Sequence, residues 1–441
     1  MPEYNIVSMT DPPHEESSAE NSTEAADFTA NMRTSRGHGE NGVTMSRATT
    51  DGQAVIHLVK SSLGTGILAM PFAFSNAGLA GGLIGTAFVS LIYTYCVHIM
   101  VRSSQVLCER HNIPSLDFAN LVDIAFQRGP ERAQRFAGAM RLTHTGSFLS
   151  QATQDWLGEA LNLRLGVAIV TPVLLVICMV RGMRHIAPFS LLSNCLILSA
   201  VGVILWFVFS EQLPSVTSRP AFASITSLPI FLSTATFAIS GVTVVMPLEN
   251  SMAHPEHFLG FGRVLTTAMT LIAATYSALG FFGYLKYGCL ICSLAKSANV
   301  MLGIAVTLTY PLVLQCCVEF TWPGLSRRLG SFTRVSATTA ERLYRACLVL
   351  FHSLVAALVP NLGALMSLSG ALFTVAVAFL LPPALETVVW WENLSGHRLV
   401  LTTIKNAIIV LFGVTVAITG SVTSVRDIIE AFSPPANKVH T

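Results

Sequence analysis

Charge is what this chain has least of. Only 11% of its 441 residues are Asp, Glu, Lys or Arg, against roughly 25% in a soluble domain. That scarcity excludes an ordinary water-soluble fold, and 52% hydrophobic residues with a mean hydropathy of +0.60 place the chain in a bilayer. No basic cluster interleaved with aromatics is present, which argues against a nucleic-acid partner. HExxH, P-loop and nucleophile-elbow patterns are missing from any supporting context, so no catalytic site is expected. The nine cysteines fall mostly in apolar segments, where a thiol is ordinary packing. Only Cys289 and Cys292 share a loop, and one CxxC without a second pair does not make a metal site. No metal or organic cofactor is expected. No cleavable signal peptide opens the chain, and residues 1–52 are polar and poor in large apolar side chains, which reads as a disordered cytoplasmic tail.

What is there instead is a series of apolar stretches of about 20 residues, the length that crosses a bilayer. They lie near 55–77, 81–107, 165–180, 187–209, 225–248, 264–285, 298–322, 346–360, 363–386 and 404–425. One more candidate, Leu142 to Leu163, is poorer, because it carries His144, Gln151, Asp155 and Glu159. Charge placement retains it as the third crossing. With the tail inside and this segment spanning, nineteen Lys and Arg fall on the cytoplasmic side and six outside, the asymmetry of the positive-inside rule. Without it the basic loop at 327–345 would lie outside. The expected architecture is an all-α integral membrane protein with about eleven transmembrane helices over residues 53–430, and a short tail at 431–441. On this topology the sequons at Asn21 and Asn393 stay cytoplasmic and unglycosylated.

The first of these stretches is interrupted. In HLVKSSLGTGILAMPFAFSNAG, His57 to Gly78, the triplet Gly64-Thr65-Gly66 falls in the middle and Pro71 follows. Hydrocarbon offers no substitute partner for a freed backbone amide, so such a break needs a local one. Small residues also line ordinary helix–helix contacts in membranes. A second interruption shifts the balance: PIFLSTATFAISGVTVVMPLEN has Ser240-Gly241 mid-span and Pro247 near its end. Broken helices at the first and sixth positions suit a five-plus-five inverted repeat, with a substrate site between them. The helix restarting after Gly66 presents free amides to a carboxylate. The carbonyls near Phe237, Ala238 and Ile239 face an amine. An α-amino acid carries both groups.

His57 enters the first span, where it either carries a coupled proton or anchors the helix end at the interface. Glu249, Glu319 and Glu386 sit near cytoplasmic ends of the sixth, eighth and tenth spans. Intramembrane acids are functional candidates by default, but near an interface they also pair with arginines.

At these residues the chain resembles the proton-coupled amino acid transporters of the amino acid/auxin permease group. The likeness is strongest in IHLVKSSLGTGILAMPFAFSNAG (56–78), RHIAPFSLLSN (184–194) and TATFAISGVTVVMPLEN (234–250), and continues through ALGFFGYLKYG (278–288) and LPPALE (381–386). The resemblance implies eleven helices, a five-plus-five repeat, and symport of small neutral amino acids with a cation, commonly H⁺. Carried over, Gly64, Thr65 and Gly66 become the carboxylate cradle. Phe237 to Gly241, including Ser240, becomes the sixth-helix break, and His57 matches the histidine linked to proton coupling. Two departures stand out. The family pattern has an acidic residue where Ser240 stands, and its third helix is a solid apolar span where Leu142 to Leu163 is polar. Na⁺ coupling and a non-transporting amino acid sensor remain open beside H⁺ symport. Plasma membrane and lysosome or endosome both suit the family.

Overall fold

A computed structural model of the chain describes residues 49–62, 66–113, 115–116, 118–127, 136, 138–140, 143, 163–179, 183–210, 212–288, 296–329, 337–358, 362–391 and 396–432. Most of the expected tail, Gly64 and Thr65, nearly all of the third crossing, Cys289 and Cys292, and Asn21 and Asn393 lie outside these residues.

The regular structure is helical. In chain order the helices are α1 (Asp51–Ser62), α2 (Gly66–Ala77), α3 (Leu79–His111), α4 (Phe118–Gln127), α5 (Leu163–Cys178), α6 (Met183–Ser210), α7 (Leu228–Ile239) and α8 (Val242–Ser251). They continue with α9 (Val264–Tyr287), α10 (Lys296–Leu329), α11 (Ala337–Leu358), α12 (Leu362–Ser369), α13 (Leu381–Trp390) and α14 (Gly396–Phe432). Among the described residues five stretches are long and apolar enough to cross a membrane: Leu79–His111, Ile225–Ser251, Val264–Tyr287, Gly363–Trp390 and Gly396–Glu430. Two shorter apolar helical segments are Cys195–Ser210 and Gly303–Gln315. The outer face matches a lipid environment. On α14, Ile404, Ile408, Leu411 and Ile418 are exposed at helical spacing, the reverse of a soluble helix, whose apolar stripe faces inward.

Local chemistry sets the helix ends. At the start of α1 the backbone N–H of Thr50 donates to Gln53 Oε1 at 3.1 Å, one half of a capping box. α3 begins after Gly78, whose φ of +85° is left-handed and favours glycine. The first amides of α3 have no helical acceptors, and the 220–221 backbone supplies them. Leu79 donates to the Pro220 carbonyl at 3.0 Å, and Ala80 and Gly81 to that of Ala221 at 2.9 and 3.1 Å. Asn112, at φ +51°, ends the same helix in the left-handed conformation typical of a C-cap.

The packing surrounds the two short pairs α1/α2 and α7/α8. α2 lies against α7 and α9, α1 against α9 and α8, and α3 against α9 and α13. α12 and α14 close over α7. There Ser233 of α7, Ser367 of α12 and Ser424 of α14, all buried, form a chain of hydroxyl hydrogen bonds at 2.8 Å each. Between α12 and α13 the helix widens into two π-helical stretches, Gly370–Thr374 and Ala376–Leu380. α6 packs along α10, and α5 against α10 and α11, over a core of Leu174, Tyr310, Leu314, Val318 and Val349.

One ion pair joins α13 to α14, and a buried one lies within α11. Lys405 Nζ of α14 reaches both oxygens of Glu386 on α13, at 2.7 and 2.8 Å. On α11, Arg345 Nη2 sits 2.8 Å from Glu341 Oε1, with the arginine only 3% exposed. Removing one member of a buried pair leaves the other charge uncompensated, at a cost of about 3 kcal/mol or more. Arg345→Met is therefore expected to lower the melting temperature of the detergent-solubilised protein. The Glu341→Gln/Arg345→Met double variant should recover part of that loss.

Candidate functional site

The second interruption read in the sequence is a real break, and it touches the described residues that flank the first. α1 stops at Ser62 and α2 starts at Gly66. α7 stops at Ile239, Ser240 is extended with ψ of 120°, Gly241 follows, and α8 starts at Val242. A Cβ at Gly66 would lie 2.8 Å from the Cα of Ala238. A Cβ at Gly241 would lie 2.7 Å from Ser62 Oγ and 3.9 Å from a methyl carbon of Leu58. So the flanking helices rest on each other; at Gly66 the neighbour is main chain and only glycine permits the approach, whereas at Gly241 the Ser62 hydroxyl would have to turn aside.

Breaking a helix in an apolar interior frees backbone groups, and two tyrosines from neighbouring helices meet them. The Tyr276 hydroxyl of α9 donates to the Ser62 carbonyl, at the end of the first half-helix. The Gly241 amide donates to the Tyr93 hydroxyl of α3 at 2.9 Å. Both rings are almost completely buried. Ser240 satisfies its own break: its N–H and its Oγ both donate to the Phe237 carbonyl, at 3.3 and 3.1 Å. The Phe237 carbonyl, expected to face an amine, is thus already engaged. Beside Gly241, Ser62 Oγ is buried with no hydrogen-bond partner among the described residues. Phe237 packs with Ala69 and Met366 to form an apolar wall.

Of the residues nominated by sequence, Gly66, Phe237, Ala238, Ile239, Ser240 and Gly241 come together, and Gly64 and Thr65 belong to the connection outside the described residues. His57 stands apart, exposed on α1 next to buried Leu58, which faces Gly241. Tyr93, Tyr276 and Ser62 were not nominated. The signal that points to them is a tyrosine in the middle of an apolar span, since a buried hydroxyl usually has a partner to serve.

The arrangement sets two helix ends side by side. The described N-terminal end of α2 at Gly66 lies against Ala238, near the end of α7, which closes at Ile239 with its terminal carbonyls. At the Asp51 end of the bundle the groups are ionic. Asp51 Oδ2 lies 2.8 Å from His257 Nδ1, and His254 Nδ1 lies 3.1 Å from Glu256 Oε1. The exposed Glu256 carboxyl is held below the usual carboxylate range, chiefly by a hydrogen bond from its own backbone N–H and further by His254. No group of three or more His, Cys, Asp or Glu gathers to hold a metal among the described residues.

Comparison with known proteins places the whole membrane region. The family model described as "Transmembrane amino acid transporter protein" matches residues 47–426. The proton-coupled amino acid transporter-like protein pathetic of Drosophila melanogaster is 32% identical over 419 residues, covering 88% of this chain and 87% of its own. The amino acid transporter AVT3A of Arabidopsis thaliana is 28% identical, over 83% of this chain and 87% of its own. The probable amino acid transporter skat-1 of Caenorhabditis elegans is 25% identical, over 88% of this chain and 92% of its own.

Proposed function

The chain belongs to the transmembrane amino acid transporter family, a family of transporters rather than enzymes, and we propose that it moves small neutral amino acids by H⁺ symport. One observation carries the substrate part: the contact between the breaks, which sets the amide end of α2 against the carbonyl end of α7. A zwitterionic α-amino acid matches those poles with its carboxylate and ammonium, and Ser62 Oγ supplies a further polar atom. The wall of Ala69, Phe237 and Met366 is apolar and uncharged, which suits a short uncharged side chain. In this reading Gly64, Thr65 and Gly66 cradle the carboxylate, and Phe237 to Gly241 line the amine side. His57 takes part in proton coupling, and the tail and the Asp51 end of the bundle face the cytoplasm, in a plasma or lysosomal/endosomal membrane. H⁺ is favoured over Na⁺ by the relative named as proton-coupled.

The test is uptake of labelled glycine, alanine and proline into proteoliposomes at pH 5.5 and 7.5, with and without Na⁺. Acid-stimulated, Na⁺-independent uptake is expected. Uptake that requires Na⁺ would replace the coupling ion, and binding without flux would replace transport with sensing. His57→Ala is expected to lose the acid stimulation with a smaller loss of substrate binding, read from the same assay and from a binding isotherm.

A further inference from the structure

We infer that the Glu249 carboxyl is a proton-binding site of the transport cycle, separate from His57. This rests on the proton-coupled reading above. The sequence offered three acids near span ends with the same alternative for each, pairing with a cation. The structure separates two of them. Glu386 holds Lys405 with both oxygens. Glu249, only 5% exposed on α8, accepts one hydrogen bond, from Gln105 Nε2 of α3 at 3.0 Å. Among the described residues no Lys, Arg or His forms an ion pair with it.

Three physical points converge on a proton as the missing cation. A carboxylate withdrawn from water with no counter-charge is costly, and protonation removes the charge. Glu249 also lies in the last turn of α8, where the terminal carbonyls add partial negative charge. Its partner is a neutral amide: Gln105 donates N–H to the carboxylate and brings no positive charge that would oppose protonation. In the binding step hydronium passes H⁺ to a Glu249 oxygen, an O–H bond forms, and water leaves. The reverse step returns the proton, and no electrons change hands.

The position links this group to the substrate site. Glu249 follows Gly241 by eight residues, about 12 Å of helix at 1.5 Å per residue, on the half-helix that begins at the second break. The other charged and titratable groups toward this end are Arg102, Cys108, Glu109, Arg110 and His111 on α3, Asp51, His57 and Lys60 on α1, and His254, Glu256 and His257 in the turn after α8; Arg110 donates to the Val389 carbonyl at 2.8 Å. Arg102 stacks over Trp390, His257 is held by Asp51 and His254 by Glu256.

The experiment compares Glu249→Gln with the unmutated full chain in proteoliposomes, using labelled alanine. For Glu249→Gln the ratio of net uptake at pH 5.5 to that at 7.5 is expected to fall from several-fold to about one. Counterflow of labelled against unlabelled alanine should persist. A wild-type ratio in Glu249→Gln overturns the inference and leaves Glu249 as a structural acceptor. Should that variant fail to reach the bilayer, Gln105→Leu decides. Losing the donor that favours the carboxylate should move the midpoint of the uptake profile to higher pH, and an unmoved midpoint overturns the inference. Counterflow without any pH dependence in the unmutated protein overturns the Glu249 site while amino acid transport stands. Neither counterflow nor uptake overturns both.

Discussion

Gly66→Val is expected to reduce uptake by about 10²-fold or more, the scale on which a misplacement of about 1 Å acts, while the protein still reaches the membrane. The reason is the atom that a side chain would meet. A Cβ at Gly66 would stand 2.8 Å from the Cα of Ala238 and 3.0 Å from the Tyr276 hydroxyl. The first of these is main chain and does not swing aside as the end of a flexible side chain does. Forcing extra carbon into a packed interior costs about 1–3 kcal/mol, and here the yielding element is the sixth-helix break itself. Surface labelling beside uptake separates loss of function from loss of insertion. Normal uptake at normal surface density would remove the carboxylate cradle from the proposal. Even Gly66→Ala should be impaired, since the clash begins at Cβ.

Tyr276→Phe is the second large effect. It deletes one oxygen, yet leaves the Ser62 carbonyl buried at a helix end without its donor. An unsatisfied buried acceptor costs about 1–3 kcal/mol, and each 1.4 kcal/mol is a tenfold change in an equilibrium constant. Binding about tenfold weaker is expected, along with a lower melting temperature. Tyr93→Phe should act alike through the Gly241 amide. Because the breaks lie in contact through Gly66 and Ala238, the two substitutions share a structure, and their effects on binding should depart from additivity. A lowered melting temperature with unchanged substrate affinity in both variants would show the tyrosines to be braces alone.

The break at Ser240-Gly241 was legible in the sequence because glycine in the middle of an apolar span is a local signal with a local cause. Hydropathy likewise located the long helices, since crossing hydrocarbon demands a continuous run. The tyrosine braces were not legible. Tyr93 and Tyr276 sit in apolar helices far along the chain from Gly241 and Ser62, and a mid-span tyrosine signals a hydroxyl in need of a partner without saying which backbone group it serves. The different surroundings of Glu249 and Glu386 were hidden for a similar reason. Both are acids near a span end, and only the fold brings Lys405 to one and Gln105 to the other. Ser240, read as an uncharged stand-in for an acid, turns out to bond its own helix at Phe237, an outcome that depends on the local dihedral angles rather than on residue type.

The widened turns at Gly370–Thr374 and Ala376–Leu380 bear on how this span tolerates changes in length. A π-turn takes in one residue more than an α-turn, so everything beyond Leu380 is rotated relative to an uninterrupted helix. Glu386 meets Lys405, and Pro383 and Thr387 meet Asn406, on that rotated frame. Deleting one residue within a π-turn would let that turn close to a regular α-turn, and the residues beyond it would keep their facing, so Glu386 would still meet Lys405. A deletion between Leu381 and Glu386 meets no such slack and would swing Glu386 by about 100° away from its lysine, one residue's share of a 3.6-residue turn. The widened turns thus hold a one-residue reserve in the count of contacts with α14.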